Sequence, residues 1–303
     1  EGGPGAGGDV HARFGAEPHL REAVHERDAV QGSVETYRDR GKAQVREGAA
    51  SRPRRKEVSQ FKLKEIQMQR RAFLIGGDYK NPDNALPGVR TDILAWKRFL
   101  MSSTGGCWYE NEIMDLSGQS KAQILEALQG GRSIDYSLAC FSGHGYIAKD
   151  RFGFSMTMTL INDAIEMSER ELNPASPWTM MVFDCCRKGT DNEKVAFSNE
   201  ALNMSYQSNT RSLFEGELLK CERGLVKVFT ADEGQAADDD RSFSRVLIEV
   251  AKGMIGACQD GVLRINDAVR YAQAEMPPQQ RPVYMGGRRL HHFPFAVKAQ
   301  AIY

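Results

Sequence analysis

Residues 136–145 read YSLACFSGHG, and residues 178–189 read WTMMVFDCCRKG. Each opens on a mainly apolar run of strand length, Tyr136 to Phe141 and Trp178 to Phe183, with one small hydroxyl residue in second place. Each run then breaks at its carboxyl end into small, polar or ionisable residues. Strands buried on both faces require continuous apolar runs of this kind, whereas half-exposed strands alternate. The same form recurs upstream in AFLIGGDY (72–79), which ends near Gly-Gly, and downstream in GLVKVFTADEG (224–234). Helical spacing lies between them. Val89, Ile93, Trp96 and Leu100 follow Pro87-Gly88, and EIMDLSGQSKAQILEAL (112–128) reads as a short strand, a turn with a capping Ser, and an amphipathic helix. MSEREL (167–172) predicts a short helix, while RSFSRVLIEVAKGM (241–254) and INDAVRYAQAEM (265–276) predict longer ones. RPVYMGG (281–287) and HHFPFAV (291–297) predict closing strands. Strand and helix alternate over most of 71–297, so an α/β fold with a mainly parallel sheet covered on both faces is expected. Right-handed crossovers bring successive strand ends to one edge, where working groups of open α/β sheets sit.

The rest of the chain sets limits. Its 303 residues are 41% hydrophobic and 26% charged, a globular composition with room for one large domain or two ordinary ones. Lys+Arg and Asp+Glu are both 40, so no global charge draws the chain to nucleic acid or to an anionic membrane. No apolar run approaches the ~18–20 residues of a membrane span. The chain starts at Glu1 with Gly- and charge-rich sequence, which does not read as a signal peptide. Six cysteines are too sparse for a disulfide scaffold, and no paired CxxC motifs suggest zinc. Reduced thiols and a cytoplasmic location are expected. Residues 1–68 read as a mobile arm that opens on EGGPGAGG, with SRPRRKE (51–57) a solvated basic linker. The ordered body spans 69–297. Within it, 187–223 shows no clear long element and reads as an exposed irregular loop between a first part, 69–186, and a second, 224–297.

Histidine discriminates best. Of the six, His11, His19 and His25 fall in the arm and His291-His292 near the C-terminus. Only His144 stands at a strand end, between Gly143 and Gly145. Glycines there remove bulk and let backbone N–H groups face a ligand. Cys186 ends a strand expected beside that of His144. An imidazole that takes its proton would turn a poor nucleophile into a thiolate. A helical crossover through MSEREL would join the two strand ends. Simple burial of the Cys185-Cys186 pair is the plainer reading, and a vicinal disulfide, strained and uncommon, is a third.

FSGHGY (141–146) followed by FDCCRKGTDN (183–192) resembles the caspase superfamily of cysteine peptidases (clan CD), most closely its paracaspase branch. Leu86, Gly88 and Asp92 match the L-x-G-x-x-x-D pattern of that family's first helix. FTADEGQAADDDRSFSRVLIE (229–249) resembles the start of its small-subunit region, and QRPVY (280–284) its terminal strand. Metacaspases are the second choice, but they carry His-Ser-Gly where this chain has Arg187-Lys188-Gly189. True caspases carry Gln where it has Asp184.

The resemblance implies a caspase-like fold, a mainly parallel six-stranded sheet sandwiched by helices. It implies His144 as general base, Cys186 as nucleophile, and the backbone N–H groups of Gly145 and Cys186 as the oxyanion hole. Cys185 takes a variable slot facing the opposite side. The activity implied is endopeptidase cleavage after Arg or Lys, with Asp92, Asp184 and Asp238 (Glu233 as the next choice) holding the basic side chain. Arg90 would compete if it paired with Asp92. Protein substrates with a basic residue at the cut and a homodimer through the terminal strand are the implied partners. No cofactor is expected, and calcium enters only on the metacaspase reading, for which Asp238-Asp239-Asp240 is a poor cage. Self-cleavage within 187–223 is expected, after Arg211 before other sites. A catalytically weak caspase-fold binding protein and a thiol sensor using Cys185-Cys186 are the rival readings.

Overall fold

The computed structural model describes residues 68–186, 208–237 and 242–298. Contacts divide the chain into Glu1–Lys62 and Leu63–Tyr303, and every described residue lies in the second unit. The expected arm therefore lies outside the described residues except at its last position: Met68 is buried and belongs to the core.

The order of elements is β1 (Arg70–Gly76), α1 (Gly88–Met101), β2 (Ile113–Asp115), α2 (Lys121–Gln129), β3 (Tyr136–Ser142), β4 (Gly145–Lys149), β5 (Ser155–Leu160), β6 (Glu166–Ser168), β7 (Trp178–Asp184), α3 (Ser208–Leu219), β8 (Gly224–Phe229), α4 (Phe243–Met254), β9 (Val262–Arg264), α5 (Ile265–Glu275), β10 (Val283–Met285) and β11 (Pro294–Val297). Six strands form the main sheet in the order β10-β8-β7-β3-β1-β2, parallel throughout except for β10, which runs antiparallel to β8. The fold is α/β with helices flanking a mainly parallel sheet.

Strand period two divides the interior into two cores. Leu74, Leu138, Cys140, Met180, Val182, Val226 and Val228 face one side, where they meet Ile93 and Trp96 of α1, Phe214 of α3, Leu247 of α4 and Val269 of α5. Phe73, Ile75, Phe141, Met181, Phe183, Cys185 and Phe229 face the other, against Ile124 and Leu128 of α2. Phe183 and Phe229 stack at 5.1 Å between ring centroids across neighbouring strands. The alternation also decides where the strand ends point. Register pairs Ser142 with Asp184, and both continue the row that faces α1 and α4.

Three expectations are corrected. MSEREL is not a helix: Glu166–Ser168 is strand β6, followed by one turn. Ser168 does act as a cap, with its N–H and hydroxyl both bonded to Glu171 Oε2 at 2.8 and 3.0 Å. Pro174 then follows too soon for a second turn. The crossover from β3 to β7 therefore runs through a three-stranded antiparallel sheet, β4-β5-β6, rather than a helix. The irregular segment 187–223 contains α3. Its inner face carries Thr210 and Arg211 beside Phe214 and Leu218, so apolar periodicity does not reveal it. Finally, HHFPFAV does not join the main sheet; β11 pairs with β9, a strand the sequence reading passed over.

Arg211 explains why α3 holds. Its Nη1 and Nη2 donate to Glu112 at 2.8 and 2.7 Å, and its Nε lies 2.8 Å from Glu215 Oε1. Arg70, fully buried at the start of β1, lies 3.5 Å from both Glu112 and Glu215 and donates to the carbonyls of Gly106 and Cys107. The guanidinium of Arg70 also sits 4.5 Å over the Trp108 ring. Expected self-cleavage after Arg211 is thereby overturned, because a side chain 6% exposed within an ion network cannot enter a protease site. Lys188 and Lys194 lie outside the described residues. Among the described residues, no helix is long and apolar enough to cross a membrane.

Candidate active site

Register builds the site. Since Ser142 and Asp184 share a rung, His144 and Cys186 each stand two residues beyond it at the same sheet edge. The join is tight: the Gly143 N–H donates to the Asp184 carbonyl at 3.1 Å, and the Gly77 N–H donates to that of Ser142 at 2.9 Å. Together with the start of α1, these ends line one open cleft. Asp92, Ser142, His144, Asp184, Cys186 and Ala237 all contribute to it.

His144 is held from three directions. Its Nε2 lies 2.9 Å from the backbone carbonyl of Asn84, which can only accept, so Nε2 carries a proton. Nδ1 is then the basic nitrogen of the neutral ring. Its backbone N–H donates to the Tyr79 hydroxyl at 2.6 Å, and the two rings lie 4.6 Å apart. The Tyr79 hydroxyl passes its own proton to the Leu160 carbonyl at 2.8 Å. Gly143 is present for clearance: a Cβ there would stand 2.5 Å from the Tyr79 oxygen. Its N–H is spent on Asp184 and does not face a ligand, contrary to the sequence reading.

Asn84 is itself anchored. Asp163 accepts from the Asn84 side chain at 2.9 Å and from the Lys80 and Asn81 N–H groups at 2.6 and 3.0 Å. These bonds, that from Asn84 foremost, hold the Asp163 carboxyl below its usual range. Neither the Asn84 carbonyl nor Asp163 stood out in the sequence. A backbone carbonyl carries no residue-type signal, and Asp163 sits in a loop remote in sequence from everything it holds.

The two cysteines part company. Cys185 is buried against the second core, and a Cβ at Gly145 would stand 2.7 Å from its sulfur. Position 145 therefore admits only glycine without displacement. Cys186 is partly exposed, and its sulfur accepts from the Ala237 N–H at 3.3 Å. The same thiol lies 3.8 Å from the Ala237 carbonyl, which can accept its S–H.

Two carboxyls close the cleft on the α1 side. Asp184 Oδ2 accepts from the Ser244 N–H at 2.7 Å and from the Ser242 hydroxyl at 3.0 Å, so it also caps the start of α4. Asp92 is 4% exposed, and its Oδ2 accepts from the Ser142 hydroxyl at 2.8 Å. Its Oδ1 lies 3.3 Å from Nε of Arg245, not beside Arg90, which is exposed. Burial, and the Asp184 charge next to it, push Asp92 up to about 7 against the pull of Ser242, Ser142 and Arg245. Glu233 lies outside the cleft lining, where it accepts from Ser155 Oγ at 2.9 Å. Asp238 lies outside the described residues. Among the described residues, no group of three metal-binding side chains gathers.

The raised Asp92 makes stability pH-dependent. The unfolded chain ionises Asp92 near the ordinary carboxyl value of 3.8, the folded one near 7, so the folded state holds the extra proton between these values. Its contribution is complete below pH 3.8 and is lost as pH rises through 7. Asp92→Asn is therefore expected to be more stable than the parent at pH 8.5, by roughly 2–4 kcal/mol, with little difference at pH 4. Urea titrations at both pH values check this; an equal difference at the two would contradict it.

No protein-family model matches this chain, and no curated protein matches it. It is similar to caspase-1 from Spodoptera frugiperda, at 12% identity and a TM-score of 0.49, over 78% of this chain and 93% of that one. It is also similar to protein GSU0716 from Geobacter sulfurreducens, at 14% identity and a TM-score of 0.46, over 76% of this chain and 100% of that one.

Proposed function

We propose that this chain is a cysteine endopeptidase of caspase type that hydrolyses peptide bonds after Arg or Lys. The observation that carries the reading is a single cleft lined by His144, Cys186, Asp92 and Asp184. With Nε2 tied to the Asn84 carbonyl, Nδ1 of His144 takes the Cys186 proton. The thiolate attacks the scissile carbonyl carbon, and the N–H groups of Gly145 and Cys186 receive the developing oxyanion. The C–N bond breaks, His144 returns its proton to the leaving amine, and water hydrolyses the thioester to free Cys186. The carboxyls of Asp92 and Asp184 receive the guanidinium or ammonium of the residue before the cut.

The test is hydrolysis of fluorogenic peptides ending in Arg, Lys or Asp, with and without calcium. Turnover of the first two alone, equal in chelator, is the expected result. Cleavage after Asp would refute the basic pocket, and turnover only with calcium would favour the metacaspase reading. Asp184→Asn keeps the side-chain shape and removes the charge. It is expected to lower kcat/KM on the Arg peptide about 10- to 100-fold, the worth of a lost charge-assisted contact. A variant that loses less than about twofold would remove Asp184 from substrate binding.

A further inference from the structure

Two carboxyls stand side by side in this cleft, and the chain places a cation beside them. Asp92 Oδ1 is shielded from water and carries no hydrogen bond among the described residues. Arg245 Nε, 3.3 Å away, is shielded too, and the pair is close without being aligned for a hydrogen bond. Arg245 sits in the first turn of α4, immediately after Ser242 and Ser244, which both bond Asp184. One helix start therefore addresses both carboxyls: two neutral donors to Asp184 and one full positive charge to Asp92. A helix N-terminus does not favour a cation, so the placement of Arg245 follows from Asp92 and not from the helix.

We propose that Arg245 determines specificity: it is a resident counter-charge beside Asp92, offsetting part of the negative charge with which Asp92 and Asp184 meet a positive side chain. The proposal rests on the basic pocket described under Proposed function. Arg245 lowers the affinity for that side chain below what two uncompensated carboxylates would give, since cations on either side of one carboxylate repel. At a partly buried site this repulsion amounts to about tenfold in affinity. It also keeps Asp92 ionised more readily than burial beside Asp184 alone would allow. Among the described residues, the charged or titratable groups around Asp92 are Asp184 from β7, Arg245 from α4, and His144 and Cys186 across the cleft; Arg90 on α1 is exposed.

The experiment measures binding rather than turnover, in full-length Cys186→Ala protein at pH 8.5. Fluorescent peptides with Arg at the cut position, or with citrulline as its neutral isostere, are titrated by anisotropy. The ratio of the two affinities isolates the charge. Arg245→Gln is expected to raise this ratio about tenfold, and Arg245→Lys, which restores the charge, to return it to the parental value. A ratio unchanged or lowered by Arg245→Gln would overturn the proposal and leave Arg245 a mere support for Asp92. Absence of any Arg preference in the parent would overturn the basic pocket and this proposal together, a result distinct from the first. Should Arg245→Gln not fold, Asp92→Asn serves: with Arg245 retained, the pocket loses one negative charge and the ratio should fall at least about tenfold. An unchanged ratio there would equally reject the counter-charge.

Discussion

Cys186→Ala is expected to lower peptide hydrolysis by at least about a thousandfold, to the residual level that binding and an oxyanion hole alone provide. Cys185→Ala, one residue away, is expected to keep activity within about threefold and to cost about 1 kcal/mol of stability for its lost buried contacts. The contrast follows from strand parity. Cys185 continues the row of Met181 and Phe183 into the second core, while Cys186 lines the cleft. Neutral-pH alkylation followed by peptide mapping should mark Cys186 and spare Cys185. Inactivity of Cys185→Ala with a folded, alkylatable Cys186 would mean that the working thiol has been assigned one residue out of register.

Glu112→Ala is expected to cost about 3–5 kcal/mol, the usual penalty for breaking a buried ion network by removing one partner. Glu112 binds Arg211 with both oxygens and lies 3.5 Å from Arg70, so its loss leaves two guanidinium groups sharing Glu215. Arg70 is wholly enclosed and has no route to water. Urea unfolding at pH 7 measures the effect, and its size should persist at 0.5 M salt because buried pairs are weakly screened. A loss under about 1 kcal/mol would show instead that the network behaves as surface pairs do.

The sheet was legible because its strands are buried on both faces and so read as plain apolar runs. The His144 and Cys186 strand ends were legible for the same reason: each run stops abruptly at a chemically distinct residue. What escaped notice did so for physical causes. In α3 the inward face is made of paired ions, and hydrophobic periodicity is blind to Arg211 and Glu215. MSEREL carries a genuine cap in Ser168 and Glu171, but Pro174 limits it to one turn. The orienting group for His144 is a carbonyl, which any residue at position 84 would supply. Arg245 was hidden inside a well-read amphipathic helix, where an arginine in the first turn passes for ordinary surface.

The shared rung of Ser142 and Asp184 bears on how this protein can change over generations. A single codon gained or lost within β3 or β7 inverts the parity of everything beyond it. Asp184 would exchange faces with Cys185, and the paired rows of both cores would trade places. The antiparallel excursion between those strands is under no such constraint, because hairpins leave and rejoin the sheet edge at any length. The turn at Asp150–Phe154, where Phe152 and Phe154 stand exposed, can lengthen or shorten freely while His144 and Cys186 stay opposite one another. Length changes are therefore expected to be tolerated between the two working strands far better than within them, which insertion of one residue at Gly153 and, separately, within β7 would show by comparing stability.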